Sequence, residues 1–204
     1  MRLFVAVNLP AAERRAAYEA AAPLRVARLP VKWVGPESIH VTLRFLGEVE
    51  QERVTPIAEA LAAAVRPART FGVALGGVGA FPSMARPRVV WIGVEHHPAL
   101  ELLANDVEKA LMTLDFEPEL RPFHPHLTLG RAERSARPAA FSGFEQLASG
   151  ITYQGSTMVE SVDLMQSVLG PKGATYTILS RAALAAAVPS ATGGGGGEGG
   201  GGGQ

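Results

Sequence analysis

Apolar and polar positions along the chain follow two periods, and the changes between them mark out its elements. Arg2–Asn8 (RLFVAVN) is a short run rich in strand-forming residues, and Ala11–Ala22 (AAERRAAYEAAA) is a strong helix former that Pro23 should end. A loop containing Trp33 and Pro36 follows. Ile39–Phe45 (IHVTLRF) alternates with period two and predicts a strand, Gln51–Val65 predicts a second helix, and Phe71–Phe81 reads as a strand interrupted by glycine. The same order then recurs: a strand over Arg88–Val94 (RVVWIGV), a helix over Pro98–Leu114, a Pro-rich loop, and a strand around His126–Leu129. A further strand signal lies at Tyr176–Leu179.

The recurrence has a fixed offset. HVTL begins at His40 and HLTL at His126, so the offset is 126 − 40 = 86, and adding 86 to Arg2–Asn8 gives Arg88–Val94. The same offset carries Pro36 onto Pro122, Ala11–Ala22 onto His97–Glu108 and Thr42 onto Thr128. We infer an internal duplication. Two repeats are too few for a solenoid, so the expected architecture is α+β: two pseudo-symmetric lobes, each with an antiparallel sheet and helices, around a central cleft. The lobes should pack intimately as one domain over residues 1–187. Residues 188–204, which end in GGGGGEGGGGGQ, have nothing to bury and are expected to be disordered.

Side chains at i and i+2 of a strand share a face, so His40 and Thr42 should point one way while Val41, Leu43 and Phe45 point to the core. His126 and Thr128 should share a face against Leu127 and Leu129 by the same rule. Each lobe thus offers one imidazole and one hydroxyl. One His-x-Thr on a strand arises often by chance, but two at an offset fixed by other elements mark a site. Strict alternation places Arg44 beside His40 and Thr42, as an alternative phosphate or backbone contact or as a solvated rim residue.

Two imidazoles facing a cleft suit phosphodiester hydrolysis: one takes a proton from water while the other gives one to the departing alkoxide. Both protonation states are accessible because histidine ordinarily titrates at about 6.5. Threonine hydroxyls can donate hydrogen bonds to the non-bridging oxygens. Side-chain alternation does not decide which histidine is the acid. No third His, Asp or Glu stands at a recognisable zinc-ligand spacing, and no serine lies in a nucleophile elbow, so neither a metal nor any other cofactor is expected. His96, His97 and His124 read as loop residues, Trp33 as core cover more than as a base-stacking platform, and Lys172, in GPKG, as part of a turn.

Composition narrows the setting. With 204 residues, 47% of them hydrophobic, the chain can bury a core. Nineteen Lys+Arg balance nineteen Asp+Glu, so no overall field draws the protein onto a polyanion and any nucleic-acid binding must be local. The absence of cysteine excludes thiolate chemistry and fits a reducing cytoplasm. No apolar stretch approaches a membrane span, so a cytosolic monomer with no membrane or DNA partner is expected.

The segments KWVGPESIHVTLRFLGEV and RPFHPHLTLGRA resemble the 2H phosphoesterase superfamily, and with RLFVAVNLP, FPSMARPRVVWIGVE and SVLGPKGATYTILSR they are similar to its RNA 2′,3′-cyclic phosphodiesterase family, also called 2′-5′ RNA ligase. The resemblance covers nearly everything before the glycine tail. It implies a bilobed α+β fold and metal-independent opening of RNA 2′,3′-cyclic phosphate ends to 2′-phosphates, with a reversible 2′-5′ ligation. It further implies His40 as proton donor to O3′, His126 as the base that activates water, and Thr42, Thr128 and Arg131 as phosphate contacts. Strict alternation puts Arg131 on the wrong face, and a bulge or twist permitted by Gly130 would swing it back. Two other readings stay open: a phosphodiesterase for a small cyclic nucleotide or ADP-ribose cyclic phosphate, and a non-catalytic RNA-end binding protein.

Overall fold

A computed structural model describes residues 1–171 and 173–187. The expectations for Lys172 and for residues 188–204 lie outside the described residues. The strands are β1 (Arg2–Asn8), β2 (Val31–Trp33), β3 (His40–Glu48), β4 (Phe71–Phe81), β5 (Val89–Val94), β6 (His126–Ala132), β7 (Gln154–Val159), β8 (Ser161–Gly170) and β9 (Gly173–Ala183). The helices are α1 (Ala11–Ala20), α2 (Ala22–Val26), α3 (Val54–Val65), α4 (Pro98–Met112) and α5 (Phe144–Ser149). Pro23 does more than stop α1. It sits in the first turn of α2, where a missing N–H breaks no helical bond.

The strands pair antiparallel in the order β7-β4-β5-β6-β3-β1-β8-β9, with β2 added on β6. The order is a palindrome in kind: β3, β1, β8 and β9 form one lobe, and β6, β5, β4 and β7 the other. The two lobes meet where Val41 of β3 lies opposite Leu127 of β6. Each repeat hands strands across. Strand β4 follows β3 in sequence but pairs with β5, and β8 and β9 follow β7 but join β1, so neither lobe is made of contiguous chain. Periodicity within a strand carries no information about this exchange.

The described helices pack on one side of the sheet, α3 against β8, β9 and α4, α4 against β3, α1 against β7 and α5 against β4. Val5, Val7, Val90, Ile92, Leu127, Ile57, Leu103 and Val107 join one continuous core there. Burying such side chains stabilises by roughly 1.5–3 kcal/mol each.

Register refines the duplication. Asn8 lies opposite His40 and Gly93 opposite His126, so β1 and β5 are related by 93 − 8 = 85, while β3 and β6 are related by 86. The uniform offset of 86 therefore slips by one residue on the first strand of each repeat. One residue matters because side chains alternate. The offset of 85 carries Val5 and Val7 onto Val90 and Ile92, all fully buried in the core. An offset of 86 would instead match Val5 with Trp91, which lies on the opposite face.

Gly130 is held at the junction of β6 with β2. A Cβ there would stand 2.6 Å from Val31 Cγ1 and 3.0 Å from the Lys32 carbonyl, so glycine is needed for close approach. Trp33 packs over the same glycine and against the core, as cover. Replacing Gly130 with Ala should lower unfolding stability by about 1–3 kcal/mol through overpacking, read as a shifted denaturant midpoint at constant slope. An unchanged midpoint would show that β2 yields freely.

Candidate active site

The site lies on the sheet face turned away from the helices, at the seam between the lobes. Val41 and Leu127 point to the core, 2% and 0% exposed, so His40, Thr42, His126 and Thr128 emerge together on the other face. All four are half-buried.

A β-bulge follows each motif. In β3, Thr42 lies opposite Ala6 but Arg44 lies opposite Val5, leaving Leu43 as the extra residue. In β6, Thr128 lies opposite Trp91 but Gly130 lies opposite Val90, leaving Leu129 as the extra one. Since 43 + 86 = 129, the two bulges occupy equivalent places, and each inverts the alternation beyond it.

The first bulge overturns the placement of Arg44 beside His40 and Thr42. Opposite buried Val5, Arg44 turns to the helix side, where its Nε meets Glu108 of α4 at 2.8 Å and its Nη1 meets Glu119 at 3.6 Å. It also donates to the Glu117 carbonyl. Arg44 ties β3 to α4 and the loop after it, and takes no part in the cleft. The second bulge acts in the opposite sense on Arg131, which lies opposite Val89 and therefore on the face of Trp91 and Thr128. Arg131 is exposed, and none of the ion pairs among the described residues includes it. The equivalent of Arg131 in the first lobe is Phe45, 45 + 86 = 131, which packs on Phe4 at 6.1 Å between ring centroids.

Both imidazoles are fixed from behind. His126 Nδ1 stands 2.7 Å from the carbonyl oxygen of His124. A carbonyl only accepts, so Nδ1 carries the hydrogen and the other ring nitrogen keeps its lone pair for a proton. The Ser38 backbone stands in the corresponding place behind His40, and 38 + 86 = 124. Aromatic rings hem in each imidazole. Phe4 stacks on His40 at 4.9 Å and Tyr176 meets it edge-on at 5.2 Å; Phe81 meets His126 edge-on at 5.0 Å, with Trp91 at 6.4 Å. Sequence reasoning missed these rings, because the pairing of β1 with β3, of β1 with β8 and β8 with β9, and of β5 with β4 and β6 brings them there.

Desolvation in this aromatic setting drives His40 from 6.5 down to about 4, against the Ser38 bond, with His126, Arg131 and Arg14 adding positive charge nearby. Burial likewise lowers His126, against the His124 bond and helped by Arg131 and His124. Both imidazoles are therefore neutral near pH 7 in the free protein, and Arg131 couples electrostatically to both. Of the remaining histidines, His96 pairs with Glu101 at 2.8 Å, and His97 caps α4 by accepting from the Ala99 N–H and stacks on Phe71 at 4.9 Å.

A cavity of about 290 Å³ opens beside His126, lined by Phe81, Trp91, Phe123 and His124. A larger one, about 520 Å³, lies at the β4–β7 edge between Gly76, Glu95 and Tyr153, and includes neither motif. Of the two, the first adjoins a motif histidine. Among the described residues no cluster of three or more His, Asp or Glu is disposed to hold a metal ion.

The unfolded imidazole binds its proton at about 6.5, before the folded one does, so stability present above that pH should be lost as pH falls toward 4. An NMR titration should keep the His40 ring neutral to below pH 5 and show its midpoint rising when inorganic phosphate is added. A midpoint at 6.5 or above without phosphate would contradict the desolvated setting.

The sequence signature described as LigT-like phosphoesterase matches this chain twice, over residues 7–91 and 92–176. The RNA 2′,3′-cyclic phosphodiesterase of Archaeoglobus fulgidus is 39% identical over 86% of this chain and 96% of its own. That of Aeropyrum pernix is 40% identical over 74% of this chain and 85% of its own. Among solved structures, TT0787 of Thermus thermophilus superposes with a TM-score of 0.73 at 31% identity, covering 90% of this chain and 98% of that one. E. coli LigT complexed with 3′-AMP gives 0.69 at 30% identity, covering 90% and 97%. A twice-matched signature over a twice-built site settles the classification: the chain belongs to the LigT-like phosphoesterase family.

Proposed function

We propose that the protein is an RNA 2′,3′-cyclic phosphodiesterase that opens terminal cyclic phosphates to 2′-phosphomonoesters. The observation that carries this is the pair of imidazoles on one face at the lobe seam, each backed by a carbonyl two residues earlier and each followed by a bulge. Relatives named for this activity, at 39–40% identity, support the same reading.

In the proposed reaction His126 takes a proton from water through its outward nitrogen. The water oxygen attacks phosphorus in line with O3′, the P–O3′ bond breaks, and His40 gives its proton to O3′. The phosphate remains on O2′. Thr42, Thr128 and Arg131 donate to the non-bridging oxygens, where charge must be held during displacement. The depressed His40 makes a strong acid once protonated, and a bound anion supplies the field that brings the proton there. Exchange with solvent resets the pair. An RNA 5′-hydroxyl in the place of water would give a 2′-5′ linkage, the ligase direction.

DNA is excluded as substrate, because a 2′,3′-cyclic phosphate needs a 2′-hydroxyl that DNA lacks. A cytosolic monomer is the setting we favour. The absence of cysteine fits it, and none of the helices among the described residues is long and apolar enough to cross a membrane.

If the two histidines form one relay, His40→Ala and His126→Ala should each remove nearly all turnover of an RNA cyclic phosphate, and the double variant should be little worse than either. Modest, additive losses would count against the relay, and binding with no turnover by the wild type would leave only an RNA-end binder. With no metal in the mechanism, excess EDTA should leave the rate unchanged, whereas loss restored by zinc would require a metal route.

A further inference from the structure

The cleft faces of the two lobes differ in charge. In the first lobe the row that starts at Thr42 runs across the strands through Ala6 and Asp163 to Arg181. Asp163 is fully buried. Arg181 grips it with Nε on Oδ1 and Nη2 on Oδ2, both at 2.8 Å, while Asn8 Nδ2 donates to Oδ2 at 2.7 Å and the Ser161 hydroxyl to Oδ1 at 3.2 Å. These donors make a buried carboxylate tolerable. Asn8 is itself the cross-strand neighbour of His40, so the network adjoins the reacting centre.

Arg181 spends only one edge of its guanidinium on Asp163. Its side chain is 54% exposed, and among the described residues Nη1 makes no hydrogen bond. The clamp removes rotational freedom, so the Nη1–Nη2 edge forms a fork oriented in advance for an anionic oxygen pair. In the second lobe the row from Thr128 runs through Trp91 to Gly79, where the indole lies across the glycine and no charged side chain follows. A polyanion passing the cleft therefore meets Arg131 beside the seam, and farther out it meets a cationic fork over the first lobe only.

The Arg181 guanidinium sits over Asp163, two strands away from β3, or about 10 Å at the usual strand spacing. One nucleotide, together with the length of a guanidinium–phosphate hydrogen bond, is of that order. We propose that Arg181, held by Asp163, binds the first internucleotide phosphate on the 5′ side of the reacting end, so that the cleft reads RNA by two phosphates and directs the chain over the first lobe. This rests on the RNA-end reading above. It also agrees with His40 as donor, because O3′ and the ribose then lie toward the lobe that carries the chain.

The test compares two dinucleotides ending in a 2′,3′-cyclic phosphate, one with an ordinary internucleotide phosphate and one with a neutral methylphosphonate there. The wild type should favour the charged one roughly tenfold or more in kcat/KM, through KM, as loss of a charge-assisted hydrogen bond implies. In Arg181→Ala and Arg181→Lys that ratio should collapse toward one. Equal turnover of both by the wild type overturns the proposal without needing any variant to fold. A wild-type ratio that the variants retain also overturns it, since it would make Arg181 only a partner for buried Asp163. Turnover of neither dinucleotide would sink the RNA-end reading, and with it this inference, whereas the first two outcomes would leave that reading standing.

Discussion

The site depends on a single meeting of strands. Val41 and Leu127 lie opposite one another at the pseudo-two-fold seam, and both are buried in the core that the helices cover. Because strand side chains alternate, fixing those two residues inward obliges His40, Thr42, His126 and Thr128 to face outward side by side. No loop has to be ordered to assemble the imidazole pair. The cost of partly shielding it from bulk water appears in the two imidazoles, which burial holds neutral at a pH where free histidine is partly charged.

The bulges at Leu43 and Leu129 make the halves alike in backbone and unlike in chemistry. After each, the next outward position is Phe45 in one lobe and Arg131 in the other, and the next inward position is Arg44 in one and Gly130 in the other. The duplication thus sets a symmetric pair of imidazoles within an asymmetric cleft. One guanidinium serves both imidazoles electrostatically, and a second, Arg181, lies over the first lobe alone. A symmetric pair suits proton transfer in either direction; an asymmetric surround is what a strand with a 5′ and a 3′ direction requires.

Much of this was legible in the sequence, for a physical reason. The period-two runs at Ile39–Phe45 and His126–Leu129 report burial on one face, and Phe71–Phe81 was bounded correctly because its flanks change period. The α+β lobes and the paired motifs follow from those signals. Arg44 was misplaced because a bulge adds a residue without changing composition, so alternation continued blindly past Leu43. Arg131 is reached only through a bulge of the same kind, one residue before the Gly130 that hinted at it. The offset of 86 failed on β1 and β5 because a one-residue slip in register conserves hydrophobicity while exchanging faces. Strands β2, β7 and β8, and the Asn8–Asp163–Arg181 network, arise from pairing between residues as many as 165 positions apart, 167 − 2 = 165. A local pattern cannot report that.

The regiochemistry of ring opening tests the mechanism most directly. Purified protein would be incubated in EDTA with a short RNA ending in a 2′,3′-cyclic phosphate, and the 2′- and 3′-phosphate products resolved. In-line attack opposite O3′ predicts the 2′-phosphate alone, with formation abolished in His126→Ala. A 3′-phosphate product, or a 2′-phosphate that forms without His126, would contradict the assignment of base, acid and leaving oxygen on which the mechanism rests.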